Sequence, residues 1–138
     1  MKKLILVAFL AVVVCAGCDL FSNFEFSDIE GDWEFSDRTI NSEDAIYVRL
    51  AVLSEESFDL GWDTTEHSYW FYCKGSMGGN VFTGKYSGTD FNTETTTDTD
   101  TDEPIKITFS LNEGKLTAKF AGSGTLDGVE LTEGVPAL

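Results

Sequence analysis

The sequence predicts an all-β protein: an antiparallel meander of about eight strands, closing into a barrel or half-open barrel, with a β-sandwich as the alternative. Three observations carry this. Apolar residues recur at every second position in run after run, the period of a strand whose side chains alternate between two faces. Short polar or glycine-containing breaks separate the runs. No window beyond the amino-terminal apolar run shows a helical stripe.

The elements follow in order. Trp33 and Phe35 alternate with Asp32, Glu34 and Ser36, and Ile46, Val48, Leu50 and Val52 share one face of the next run. Phe58, Leu60 and Trp62 alternate with Ser57, Asp59 and Gly61. Residues 68–74 are apolar on both faces, with Tyr69, Phe71 and Cys73 set against Trp70 and Tyr72. Val81 to Ser87 carries Phe82 and Tyr86 on one side. The clearest alternation is Ile105, Ile107, Phe109 and Leu111, followed by Leu116, Ala118 and Phe120. Leu126 to Leu131 is the last strand candidate.

Met77-Gly78-Gly79-Asn80 and Asn112-Glu113-Gly114-Lys115 are hairpin signals, because glycine supplies positive φ without a steric penalty. Asp127-Gly128 marks another tight turn. Pro104 and Pro136 fall at the edges of runs, where they need not donate to a ladder. The stretch 89–103, rich in Thr and Asp with Phe91 its one large apolar residue, reads as a long mobile acidic loop.

The chain opens with Lys2 and Lys3, an apolar run from Leu4 to Val14, and small residues before Cys18, which is the order of an export signal over residues 1–17. The run is too short to span a bilayer, which takes roughly 20 apolar residues. Val14-Cys15-Ala16-Gly17-Cys18 resembles the lipobox of bacterial lipoproteins. Cys15 departs from it, since the family most often has Leu there, and the same small residues also suit ordinary secretory cleavage after Gly17. The resemblance implies a diacylglycerol thioether on Cys18, cleavage before it and acylation, commonly by palmitate, of the new amino group. It implies a chain anchored at the cell membrane or outer membrane, facing the periplasm or the cell exterior. Residues 18–28 then form the lipidated tether, and 29–138 a single β domain. Leu20, Phe21, Phe24 and Phe26 are unusually apolar for a tether, and would cover the open end of the domain or lie at the membrane interface.

Loss of 17 residues leaves 121, enough for one domain. It leaves seven basic against 24 acidic residues, a formal charge of −17. So acidic a surface argues against a nucleic-acid partner, whose phosphates require Lys and Arg. Cys73 is then left without an intramolecular disulfide partner, and it reads as a small buried apolar residue.

Gly31-Asp32-Trp33 resembles the Gly-x-Trp that opens the first strand of lipocalin-like barrels. The resemblance implies a closed barrel that binds a small apolar or amphipathic ligand inside. The later lipocalin motifs are not visible. Trp33, Trp62, Trp70 and Tyr72 are the candidate ligand pocket, among 11 Phe, four Tyr and three Trp in all. The alternative is a filled core, those aromatics being structural, and a barrel that binds another envelope protein.

No enzyme is expected. There is no G-x-S-x-G elbow, and His67, the one histidine, lies in a polar turn. Asp98, Asp100 and Asp102 resemble the start of a calcium loop, but Glu103 and Phe109 stand where its Gly and Glu belong. No metal or cofactor site is assigned.

Overall fold

The computed structural model describes residues 24–35, 39–40, 43–92 and 94–137. The proposed signal, Cys18 and the first part of the tether therefore lie outside the described residues. Among the described residues there are ten strands: β1 (Gly31–Phe35), β2 (Thr39–Ile40), β3 (Glu43–Asp44), β4 (Tyr47–Ser54), β5 (Ser57–Asp63), β6 (Ser68–Gly78), β7 (Val81–Phe91), β8 (Thr96–Asn112), β9 (Lys115–Gly122) and β10 (Glu130–Pro136). Eight of them form a closed antiparallel barrel in the order β1-β10-β9-β8-β7-β6-β5-β4, while β2 and β3 pair separately. The predicted meander is thus a barrel. Closure comes from β1, which pairs with β4 on one side and β10 on the other.

Alternation sorts the residues. Val48, Leu50 and Val52 of β4, Phe58, Leu60 and Trp62 of β5, Tyr69, Phe71 and Cys73 of β6, and Ile105, Ile107 and Phe109 of β8 all point inward and are buried. Asp32, Arg49, Lys74, Lys85, Lys106 and Lys119 occupy positions of the opposite parity. This is apolar-in and charged-out, the reverse of strands whose outer face meets lipid.

Among the described residues the middle of the interior is filled. Phe58, Leu60, Phe71, Phe82, Phe109, Leu116 and Ala118 have no accessible surface, so none of them borders a water-sized void. Phe58 packs edge-to-face on Phe82, with ring centroids 4.6 Å apart, and lies 5.3 Å from Phe109. Small residues make room for large ones. Gly88 points inward beneath Phe71, and a Cβ there would sit 2.7 Å from the Phe71 ring.

The barrel has two ends. At the near end lie the hairpin turns β4–β5, β6–β7 and β8–β9, and the chain arrives there through residues 24–30. A 3-10 turn spans Phe26–Asp28. Ile29 is fully buried, and Phe24 and Phe26 pack partly on the core. The carboxy-terminal part of the predicted tether is therefore built into the domain, and its aromatics cover the near end. Trp33 fixes this cap by donating its indole N–H to the Ile29 carbonyl at 2.8 Å.

Three elements differ from the sequence reading. The stretch 89–103 is mostly strand: β7 runs to Phe91, β8 starts at Thr96, and Phe91 pairs with Thr96. Threonine suits an extended backbone, and a strand exposed on its outer side needs little to bury. Pro104 accordingly falls within β8, opposite Lys85, rather than at an edge. The last strand is 130–136 rather than 126–131, and Leu126 sits in the preceding loop as a fully buried plug. The pair β2–β3 was not foreseen.

Leu126 is held by a polar cluster at the far end. The Tyr86 hydroxyl shares its one proton between the Ser123 carbonyl at 2.7 Å and Asp100 Oδ1 at 3.1 Å, and accepts from the Leu126 amide at 3.0 Å. The Thr125 amide donates to Asp100 Oδ1 at 2.9 Å. Gly124 stands against this cluster at φ +73°, where a side chain would strike both Asp100 and Tyr86.

Candidate binding surface

The structure divides the four predicted pocket residues between two faces of the wall. Trp33 and Trp62 point inward and are 6 % and 1 % exposed. Trp70 and Tyr72 point outward and are 48 % and 37 % exposed. They do not converge on one pocket. Cys73, which follows Tyr72 on the inner face of β6, is buried as a free thiol. Burial first, and Asp59 second, push that thiol up to about 12. Native protein is therefore expected to resist iodoacetamide at pH 8 and to be labelled at Cys73 only when unfolded in guanidinium, as mass spectrometry would show. Rapid native labelling would contradict the burial.

The outer wall over β4, β5 and β6 carries an open groove of about 550 Å³. Its floor is at Gly61, which lies opposite Arg49 of β4 and Trp70 of β6. A strand position without a side chain leaves a notch between its cross-strand neighbours. A Cβ at Gly61 would meet nothing nearer than the Arg49 carbonyl at 4.0 Å. Trp70 forms one wall and leans toward Phe91, with centroids 6.3 Å apart. Tyr47 lines the groove at its far-end side and donates its hydroxyl to Glu34 at 3.3 Å.

The groove is acidic. Asp32, Asp59 and Asp63 line it, with Arg49 as the basic group. Arg49 is paired to Asp32, and that hydrogen bond and charge hold the guanidinium above its ordinary pKa. Burial lifts Asp59 above the usual aspartate value, and the Trp70 side chain beside it opposes part of that rise. Asp59 Oδ1 is shielded from solvent and has no hydrogen-bond partner among the described residues. Beside the groove, Lys74 Nζ lies 5.7 Å from the Tyr72 ring centroid, a cation–π contact on the same outer face.

A second polar constellation sits inside the far end. His67, read from sequence as a turn residue, is half-buried, and its Nδ1 lies 2.8 Å from Asp90 Oδ2. It stacks on Tyr69 at 5.6 Å. Asp90, Tyr69 and Trp62 occupy adjacent positions on β7, β6 and β5. Trp62 Nε1 and Asp90 Oδ1 are both buried without a hydrogen-bond partner among the described residues. The Ser68 hydroxyl donates to Asp63 at 2.5 Å. Of the acidic run, Asp100 turns inward to Tyr86 and Thr125, while Asp98 and Asp102 stay exposed, so the three do not share a face.

The groove was only partly visible in sequence. Trp70 and Tyr72 were identified, and their parity put them on one face. Gly61 and Asp59 were passed over as ordinary outward positions of a strand. The chain matches no family model, no curated protein and no solved structure.

Proposed function

We propose that this chain is a membrane-anchored lipoprotein of the cell envelope, held by lipid on Cys18, whose barrel is a non-enzymatic module that binds another envelope protein through its outer wall. The observation that carries the second half is the contrast between the two faces. The interior is packed with side chains that have no accessible surface, so an internal ligand would have to displace them. The outer wall leaves Trp70, Tyr72 and Phe91 exposed around a groove that the fold itself does not require. The lipobox resemblance of residues 14–18 supports the anchor, and the chain's arrival at the near end is compatible with it.

A second reading is a small amphipathic ligand at the far-end mouth. It is favoured by the unpaired donor of Trp62 and the unpaired acceptor of Asp90, since buried polar atoms normally find partners.

Two measurements test these readings. Metabolic labelling with an alkyne fatty acid should mark the chain, and Cys18→Ala should abolish the label and release the protein from the membrane fraction. Unchanged label in that variant would overturn the anchor. Titration with fatty acids and apolar dyes should leave the emission of the buried Trp33 and Trp62 unmoved. A saturable response from them would replace the outer-wall reading with the mouth-ligand one.

A further inference from the structure

We infer that the Gly61 notch takes an arginine or lysine side chain from a basic segment of a partner protein, with Trp70 as its aromatic wall and Asp59 and Asp63 as its counter-charges. This deepens the outer-wall reading and rests on it.

Shape, charge and chemistry agree. The notch opens directly above backbone, because Gly61 has no side chain and its neighbours Arg49 and Trp70 stand on the flanking strands. It is therefore suited to one long side chain rather than to a flat apolar face. The groove holds three carboxylates against one guanidinium, and that guanidinium is already bound to Asp32. Two negative charges are left over. One of them, Asp59, is partly desolvated, with an oxygen that lacks a hydrogen-bond donor. An arriving guanidinium or ammonium supplies charge-assisted donors to such a group. Trp70 offers the aromatic face to which cations are most strongly drawn. The protein already uses this chemistry next door, where its own Lys74 lies over Tyr72.

Charge also discriminates among occupants. A second copy of this chain without residues 1–17 brings a formal charge of −17 to a face that is itself negative. An anionic lipid surface is repelled for the same reason. A neutral sugar could stack on Trp70, but it would leave the two carboxylates unbalanced.

The test is calorimetric titration of the full chain, extracted in a non-ionic detergent, with hexaarginine and separately with the neutral sugar cellohexaose. Hexaarginine should bind, and more weakly as salt rises. Asp59→Asn keeps the shape and an acceptor for Trp70 but removes the charge. Gly61→Val puts a Cβ where there is room for one and suits a strand, so its melting temperature should stay at or above that of the parent. Each should weaken binding about fivefold to tenfold, the scale of one cation–π or charge contact. The double variant Asp98→Asn/Asp102→Asn removes two exposed charges from β8 and should change affinity less than about twofold, well under that scale.

If the β8 variant weakens binding as much as Asp59→Asn, the attraction is bulk charge and the inference falls. It falls equally if Gly61→Val binds like the parent, if hexaarginine does not bind, or if cellohexaose binds in its place. A null titration on protein that still carries the Cys18 label removes the groove assignment and leaves the anchor untouched.

Discussion

Replacing Phe58 by alanine is expected to cost about 3–5 kcal/mol, the range for a fully buried phenylalanine. Small domains have a net stability of only about 5–15 kcal/mol, so the variant should be marginal near 37 °C. The mechanism is specific. Phe58 belongs to β5, but its aromatic partners Phe82 and Phe109 come from β7 and β8, across the interior rather than along the sheet. The side chain ties together strands that are not neighbours in the sheet. Each barrel strand is paired to a neighbour on both sides, so the walls resist collapse into the space that alanine leaves. Denaturant unfolding followed by tryptophan emission measures the loss, which should appear as a lower midpoint at an unchanged slope. Phe58→Leu keeps most of the volume and should cost clearly less. A loss below about 1 kcal/mol for the alanine variant would show that the interior is not packed as described, and would favour a hollow barrel.

The second large effect is expected at the far-end plug. Asp100→Ala leaves the Thr125 amide without its acceptor and the Tyr86 hydroxyl with the Ser123 carbonyl alone. A buried donor stripped of its partner costs about 1–3 kcal/mol, and a loss of that size is expected. Hydrogen exchange should rise first at the Leu126 and Thr125 amides, and a variant as stable as the parent would contradict the plug.

The pH dependence has a definite sign. Burial alone would raise the Asp100 pKa, but the Thr125 amide and the hydroxyls of Thr125, Thr99 and Tyr86 together hold it below the ordinary value. A lowered folded-state pKa means that the stabilisation is fully present above the unfolded value of about 3.9 and is lost as pH falls below it. Asp100→Asn should therefore be less stable than the parent at pH 7 and should lack that portion of the acid loss. Tyr86 stays a donor throughout, because burial and the carboxylates of Asp100 and Glu103 outweigh the Leu126 amide and keep its phenol well above the usual range.

The barrel was legible in the sequence because alternation needs no tertiary information. Trp33, Trp62 and the inward phenylalanines could be placed on one face by parity alone. The face of Trp70 and Tyr72 could not, since β6 is apolar on both sides and only its neighbours decide which side turns in. Gly88 beneath Phe71 makes that choice, through contacts far apart in sequence. Asp100 was hidden for another reason. Inside an alternating Thr/Asp run it looks like every other solvated carboxylate, and only the pairing of β8 with β7 brings Tyr86 to it. Leu126 was read as strand because an apolar residue beside Asp-Gly fits a hairpin as well as a plug. The groove depends on a residue with no side chain, and a missing group carries no periodic signal.

The amino-terminal part of β8 has one further consequence. Barrel closure removes exposed edges almost everywhere, but β8 gains its second neighbour, β9, only from Ile105 onward. Residues 96–104 pair with β7 alone among the described strands. An unpaired edge is a template on which other chains add strands and aggregate. Here the template is Thr and Asp, with a proline at position 104 that has no amide hydrogen to offer. Two such edges brought together would set carboxylate against carboxylate. The monotonous acidic segment, which reads as filler, thus serves as a guard on a long stretch of the barrel that is paired on one side, and it would keep copies crowded on the same surface from knitting into fibres.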